Sequence, residues 1–324
     1  MIRVNIIGKS NNVGLTRDIH ILADALRTLD CEVNVSEMGS RDSRRRKSIL
    51  QRILRRFATK KRTPKYDLNL MLEHVWTQFA ADGRINVVVA NPDFFDRHDV
   101  VAVRRMGKVW AKTVLTQRIF SQMGCLATYI GFDSIDRYDA SCRREKIFFH
   151  LVGSSPLKGT DRLLEIWSRH PEWPSLVVVG RLKSTPPRAT NVKIISEYLD
   201  DAQLLRLQNE CAVHVCTSET ESWGHYLVEG LSVGAVVITL SAPPMNELVT
   251  PERGILLACK PHGFQQLLQR YVFDEEALSA AVARIAAMSP QEFAKIGAAA
   301  RRWYLENKAG FCERLRKALS ELPL

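Results

Sequence analysis

Strand-like apolar runs alternate with helical patterns along almost the whole 324-residue chain, and the series starts twice. The first series contains the runs Ile2 to Gly8, Glu32 to Glu37, Leu68 to Leu72, Ile85 to Ala90, Lys108 to Thr113 and Leu126 to Ile130, with a helical pattern from Thr16 to Leu29 after the first. The second comprises Lys146 to Gly153, Ser175 to Gly180, Asn191 to Ser196, Ala212 to Thr217, Ala235 to Leu240 and Gly254 to Ala258. Short runs of Val, Ile and Leu separated by helical periods belong to parallel sheets covered on both faces. The polar stretch from Asp133 to Glu145 has no period, so two α/β domains are expected, residues 1–143 and 144–324. From Gly263 onward the pattern reads as closing helices, the last able to pack back on the N-terminal domain. Two doubly wound domains whose strand C-termini face a common central cleft place ligand binding there.

The net charge is +11, from 46 basic and 35 acidic residues, and its location matters more than its size. Between Arg41 and Lys65 stand twelve basic residues and one acid, Asp42, a surplus of eleven that equals the whole excess. Ile49, Leu50, Ile53, Leu54 and Phe57 form one apolar stripe on a helix otherwise covered by Arg44, Arg45, Arg46, Lys47, Arg52, Arg55 and Arg56. Such a basic amphipathic helix suits an anionic membrane surface, each basic residue adding about 1 kcal/mol. The plainer alternative is a solvated face whose stripe packs on its own domain. Nucleic acid ranks well below, because base stacking needs aromatic side chains and this helix has only Phe57. No apolar run approaches the ~20 residues of a spanning helix, and the N-terminus enters a strand pattern directly, so a cytoplasmic protein, peripheral on the inner face of the plasma membrane, is expected. The seven cysteines include no CxxC pair and read as reduced, mostly buried thiols.

The densest chemistry lies from Thr217 to Val249, where a strand runs into a polar loop, a helix starts near Gly224, and Gly234 ends it. Seven residues separate Glu221 from Glu229, and on a continuous helix they would lie about 12 Å apart, the reach of one extended ligand. Carboxylates beside a helix N-terminus accept from sugar hydroxyls, and the free N–H groups there bind phosphate. A second block, His150 to Trp167, sets Gly153 and Lys158-Gly159 between a strand and a helix, with Lys158 as a point charge suited to a diphosphate.

With Gly224, Gly234, the Glu247 to Val249 run and the Arg253 to Leu257 run, the two glutamates resemble the E(x7)E motif of retaining GT-B glycosyltransferases, in particular glycosyltransferase family 4. The likeness covers the chain closely from about Lys146 to the C-terminus and the N-terminal half only in its α/β pattern. It implies a GT-B fold and transfer of a hexose from a nucleotide sugar to a cell-envelope glycan or lipid-linked acceptor, with retention of configuration. Glu221 would hold sugar hydroxyls and Glu229 the ribose. Lys158 resembles the lysine of the family's G-R-(x)n-K-G loop, but Ser154 stands where that motif has arginine. Either Arg181 substitutes or activity is weakened. His225, at a position where leucine is more usual, and Tyr226 would face the donor.

In the N-terminal half, Gly14 precedes a helix and would bring backbone N–H groups to phosphate or sugar. Glu73-His74, Asn91-Pro92-Asp93 and Lys112-Thr113 stand at strand ends, and His74 is the candidate sugar or acceptor contact, since the family commonly offers a histidine from this domain. No D-x-D motif occurs, so neither a metal ion nor a cofactor is demanded. Rival readings are a sugar-nucleotide epimerase on the same scaffold and a non-catalytic protein binding membrane or nucleic acid through its basic segment.

Overall fold

The computed structural model describes residues 1–9, 14–38, 63–153 and 155–324. The expected basic helix, with Arg44, Arg45, Arg46, Lys47, Arg52, Arg55 and Arg56, lies outside the described residues, as does Ser154. The chain divides into two compact units, Met1–Asp133 with Ala309–Leu324, and Ser134–Lys308.

The first unit runs β1 (Ile2–Gly8), α1 (Gly14–Arg27), β2 (Cys31–Glu37), β3 (Tyr66–Glu73), β4 (Gly83–Ala90), α2 (Arg97–Met106), β5 (Lys108–Ala111), α3 (Val114–Gln122) and β6 (Leu126–Tyr129). Its strands form one parallel sheet in the order β2-β1-β3-β4-β5-β6. Register is marked by four asparagines at matched positions, Asn34, Asn5, Asn69 and Asn86, on adjacent strands. Their amides form a ladder: Asn34 donates to Asn5 (2.8 Å), Asn5 to Asn69 (3.3 Å), Asn69 to Asn86 (2.9 Å), and Asn86 to the Ala80 carbonyl (3.0 Å). A one-residue slip would leave these amides unpaired inside the sheet, so the ladder selects the register as strongly as the apolar pattern does. Lys112, just past β5, is buried in an ion pair with Asp18 of α1, its ammonium 4.4 Å from the Phe132 ring centroid.

The second unit runs β7 (Glu145–Leu151), α4 (Thr160–Ser168), β8 (Leu176–Val179), β9 (Val192–Ile195), α5 (Asp201–Glu210), β10 (Cys211–Cys216), α6 (His225–Ser232), β11 (Val236–Leu240), α7 (Met245–Leu248), β12 (Gly254–Leu257), β13 (Cys259–Gln265), β14 (Leu268–Phe273), α8 (Glu275–Ala287) and the start of α9 (Pro290–Ser320), whose residues from Ala309 onward belong to the first unit. Its parallel sheet has the order β12-β11-β10-β7-β8-β9. Strands β8, β10 and β11 are buried along their whole length, which is why they read as apolar runs, interrupted only by His214 in β10 and Thr239 in β11. All twelve expected strands are present, and both sheets are Rossmann-like.

Two features differ from the sequence reading. The units divide between Asp133 and Ser134 rather than after residue 143, because the aperiodic stretch is fastened to the second unit. Arg137 donates to Gln208 Oε1 (2.8 Å) and Asp201 Oδ1 (2.7 Å), and Asp136 accepts from Arg301 (2.6 Å). The helical pattern expected from Gly263 is instead the antiparallel hairpin β13–β14, and helix resumes only at Glu275, after Asp274 caps it through the Ala277 N–H. Phe264, Leu267, Leu268 and Tyr271 have helical spacing, but Leu268 and Phe273 are buried in strand geometry and the turn is closed by Gln266 at φ 51°. All seven cysteines are free thiols, four of them buried, and no described helix is long and apolar enough to cross a membrane.

Replacing Asn69 by leucine strips Asn5 of its acceptor and Asn86 of its donor. The expected loss is about 2–4 kcal/mol in urea unfolding, since each buried polar group left unpaired costs ~1–3 kcal/mol. A loss below about 0.5 kcal/mol, roughly a twofold change in the unfolding equilibrium, would show that the ladder does not select the register.

Candidate functional site

In the second sheet the strand order reverses between β7 and β10, the place in an open parallel sheet where ligands bind at the C-terminal ends of the strands. The β7 loop carries Gly153, a 3-10 turn over Pro156–Lys158, and Gly159 before α4. The β10 loop carries Ser218, Glu219 and Glu221 before α6. Gly159 has φ 69°, and a Cβ there would fall 2.4 Å from the Thr217 carbonyl oxygen, so only glycine lets the two loops approach backbone to backbone. Glu219 N–H donates to the Leu157 carbonyl (2.8 Å), and the Thr217 hydroxyl to the Lys158 carbonyl (3.0 Å).

This approach assembles a polar cluster. Lys158 Nζ lies 2.6 Å from Glu221 Oε1 and 3.7 Å from the Tyr226 ring centroid. The Ser218 hydroxyl donates to the same Glu221 oxygen (2.6 Å) and lies 2.6 Å from the Tyr226 hydroxyl. With the Ser218 proton spent on Glu221, Tyr226 is the donor of that second bond, giving a relay from Tyr226 through Ser218 to Glu221. Burial, reinforced by nearby Cys216 and Glu221, pushes the Tyr226 phenol well above its ordinary range and keeps it a neutral donor. The side chains of Lys158 and Glu221 remain 16% and 15% exposed, so a ligand can reach both. Among the described residues the Thr220 hydroxyl oxygen, in the same loop, is buried without a hydrogen-bond partner.

Glu221 precedes the helix, whereas Glu229 is inside α6, so their separation is not that of a continuous helix. Glu229 is 1% exposed, and its Oε2 accepts from Gln208 Nε2 (3.0 Å), itself held by Arg137. Gly224 N-caps α6 at φ 90°. His225 turns Nδ1 to the Ser134 hydroxyl (2.8 Å), which also accepts from Trp223 Nε1 (3.1 Å). Arg181 is exposed just past the end of β8. Beneath the loops His150 bridges β10 and α4: Nδ1 donates to the Val215 carbonyl (2.8 Å), so Nε2 accepts from the Thr160 hydroxyl (2.8 Å). Burial holds this imidazole neutral, with its pKa lowered to about 4, and His214 is lowered to about 4 for the same reason.

The first unit has its own reversal, between β1 and β3. Gly14 opens α1 there, and His74 follows β3, whose last residue, Glu73, adopts φ 65°. His74 is buried with Nδ1 2.7 Å from Asp99 Oδ2 and Nε2 3.5 Å from Glu73 Oε2. Asp99 also accepts the Val75 N–H (2.9 Å), which fixes the loop around the imidazole. Of the other strand-end candidates, Lys112 is committed to Asp18.

The sequence reading named Lys158, Glu221 and Tyr226 as separate donor-site candidates and did not include Ser218, which connects Glu221 with Tyr226, the Gln208 partner of Glu229 or the Asp99 partner of His74. Ser218 stands three residues before Glu221, the spacing of a local hydroxyl-to-carboxylate bond, and was legible on that ground. Gln208 and Asp99 lie 21 and 25 residues from their partners and carry no local signal.

Residues 141–287 match the family model described as glycosyl transferases group 1. Solved structures with the same fold include Anabaena HepE in complex with UDP-glucose, 16% identical over 99% of this chain and 100% of that one with a TM-score of 0.70. Sucrose-phosphate synthase from Thermosynechococcus elongatus is 14% identical over 99% of each chain, with a TM-score of 0.72. WaaG, a glycosyltransferase involved in lipopolysaccharide biosynthesis, is 15% identical over 98% of this chain and 100% of that one, with a TM-score of 0.60. These establish a GT-B fold. A search of curated protein sequences finds no match to the chain.

The two lowered histidines set a pH dependence. Between pH 6.5 and about 4 the unfolded chain binds protons that folded His150 and His214 refuse, so stability falls with pH by about 1.4 kcal/mol per unit for each. His170, raised by Glu172 and Glu275, titrates above this window and its stabilisation is already complete within it. Urea unfolding from pH 7 to 5 measures the slope, and a flat profile contradicts the neutral assignment.

Proposed function

We propose that this chain is a retaining, metal-independent hexosyltransferase that uses a nucleotide-sugar donor and a cell-envelope glycan or lipid-linked acceptor. The observation that carries the reading is the Lys158–Glu221 ion pair, set at a sheet reversal and linked to Tyr226 through Ser218. Support comes from the group 1 family match over the residues that build this cluster, and from the UDP-glucose held by HepE. The envelope acceptor is supported by the lipopolysaccharide role of WaaG.

In this reading the donor diphosphate approaches the Lys158 ammonium, which its bond to Glu221 and its seat over Tyr226 already hold in place. Lys158 and backbone N–H groups offset the charge that grows on the departing nucleotide, so the leaving group needs no divalent ion. Glu221 accepts from sugar hydroxyls, and its two present donors keep the carboxylate oriented. Glu229 serves the ribose, His225 and Tyr226 line the donor, and Arg181 supplies a second positive charge after β8. His74, its ring fixed by Asp99, contacts the sugar or acceptor. Gly14 and Gly153 give backbone access to the donor. The basic segment at 41–65 holds the enzyme on the cytoplasmic face of an anionic membrane, beside a lipid-linked acceptor.

A thermal-shift screen with nucleotide sugars is the direct test, because a ligand of the native state raises the melting temperature. UDP-glucose is expected to stabilise the protein. Lys158→Ala is expected to lower kcat/KM for donor turnover by about 10²–10³-fold, the scale for removing one charge-stabilising group. Activity should survive chelation of divalent ions. A screen with no stabilising nucleotide sugar, together with no nucleotide released on incubation, overturns the reading. Deleting residues 44–61 should abolish co-sedimentation with anionic vesicles, and unchanged sedimentation removes the membrane role.

A further inference from the structure

The hairpin β13–β14 separates β12 from α8, and β14 is its anchored strand. Leu268 and Phe273 are buried, and the Phe273 carbonyl accepts from Arg162 of α4. Most of β13, from Lys260 to Phe264, is exposed. From the middle of β14 two consecutive residues reach the β10 loop at one point. Tyr271 N–H donates to the Glu219 carbonyl (2.8 Å), and the Arg270 guanidinium holds the Glu219 carboxylate, with Nε 2.6 Å from Oε2. The Glu219 N–H is the group that bonds Leu157 beside Lys158. Thus Glu219 joins three elements, with its amide on the lysine loop, its carbonyl on β14 and its carboxylate on Arg270.

The β10 loop needs such an outside hold. It keeps the Thr220 hydroxyl buried without a partner among the described residues, a state that local bonding alone does not favour. Glu219 is the residue through which the surroundings act, one position from Ser218 and two from Glu221.

We propose that the hairpin is a brace for the donor site, and that Arg270 is a positioning residue which, through Glu219, sets the distance between Lys158 and Glu221. The proposal rests on the glycosyltransferase reading for its kinetic consequence, but its structural consequence is independent of any ligand. Loss of the Arg270 fork leaves Glu219 held by backbone bonds alone, so both loops open more often, and a donor then binds a less populated site. Chemistry after binding changes less, because Lys158 and Glu221 are themselves intact.

The test compares wild type with Arg270→Met, Arg270→Lys and Glu219→Gln in the full chain. By hydrogen exchange, amides at 155–159 and 217–222 are expected to exchange about tenfold faster in Arg270→Met, with protection elsewhere in the second unit unchanged. With UDP-glucose as donor, KM is expected to rise about tenfold while kcat stays within about threefold, the pattern of lost site population rather than lost chemistry. Arg270→Lys restores part of both effects, and Glu219→Gln reproduces them more weakly. Unchanged exchange at the two loops overturns the brace, as does a fall in kcat with KM constant. If exchange accelerates as expected while wild type binds no nucleotide sugar, the brace stands and the glycosyltransferase reading falls.

Discussion

The reversal of strand order between β7 and β10 is the constraint on which the second unit's chemistry depends. In a parallel sheet every crossover helix must return to the N-terminal edge, so the loops at the C-terminal edge are where polar backbone is left to bind something. Lys158 and Glu221 come from the loops after β7 and β10, 63 residues apart in the chain, and meet at 2.6 Å. Gly159 makes the meeting possible, because any side chain there would collide with the Thr217 carbonyl.

Each charge in the cluster has a partner that keeps it usable. Lys158 is held by a carboxylate and an aromatic face, and Glu221 by an ammonium and a hydroxyl. An ammonium and a carboxylate that are each only partly buried avoid the full desolvation cost of an interior ion pair. The contrast with Lys112 and Asp18 in the first unit is instructive. That pair is almost wholly enclosed, and each member is committed to the other. Burial therefore separates a pair that holds α1 to the first sheet from a pair that remains open to a ligand.

The elements most legible in the sequence were those whose residues see a uniform environment. Strands β8, β10 and β11 are buried on both faces, and their apolar runs announce them without ambiguity. The hairpin was illegible because Phe264, Leu267, Leu268 and Tyr271 fit a helical period, and what favours strand there is a bond to Glu219, about fifty residues away. The attachment of residues 134–143 to the second unit likewise depends on Arg137 finding Gln208 and Asp201, which no local pattern encodes.

Periodicity and spacing alone determined the α/β class and the twelve sheet strands, since these follow from which side chains must leave water and where the chain can turn. Only the tertiary structure decided that Lys158 is bonded to Glu221, that Ser218 and Tyr226 complete the cluster, and that a hairpin reaches the loop through Glu219. Lys158 meets Glu221 across 63 residues and Arg270 meets Glu219 across 51, and a hydrogen bond is specified by position and angle, which exist for such groups only after the chain has closed around them.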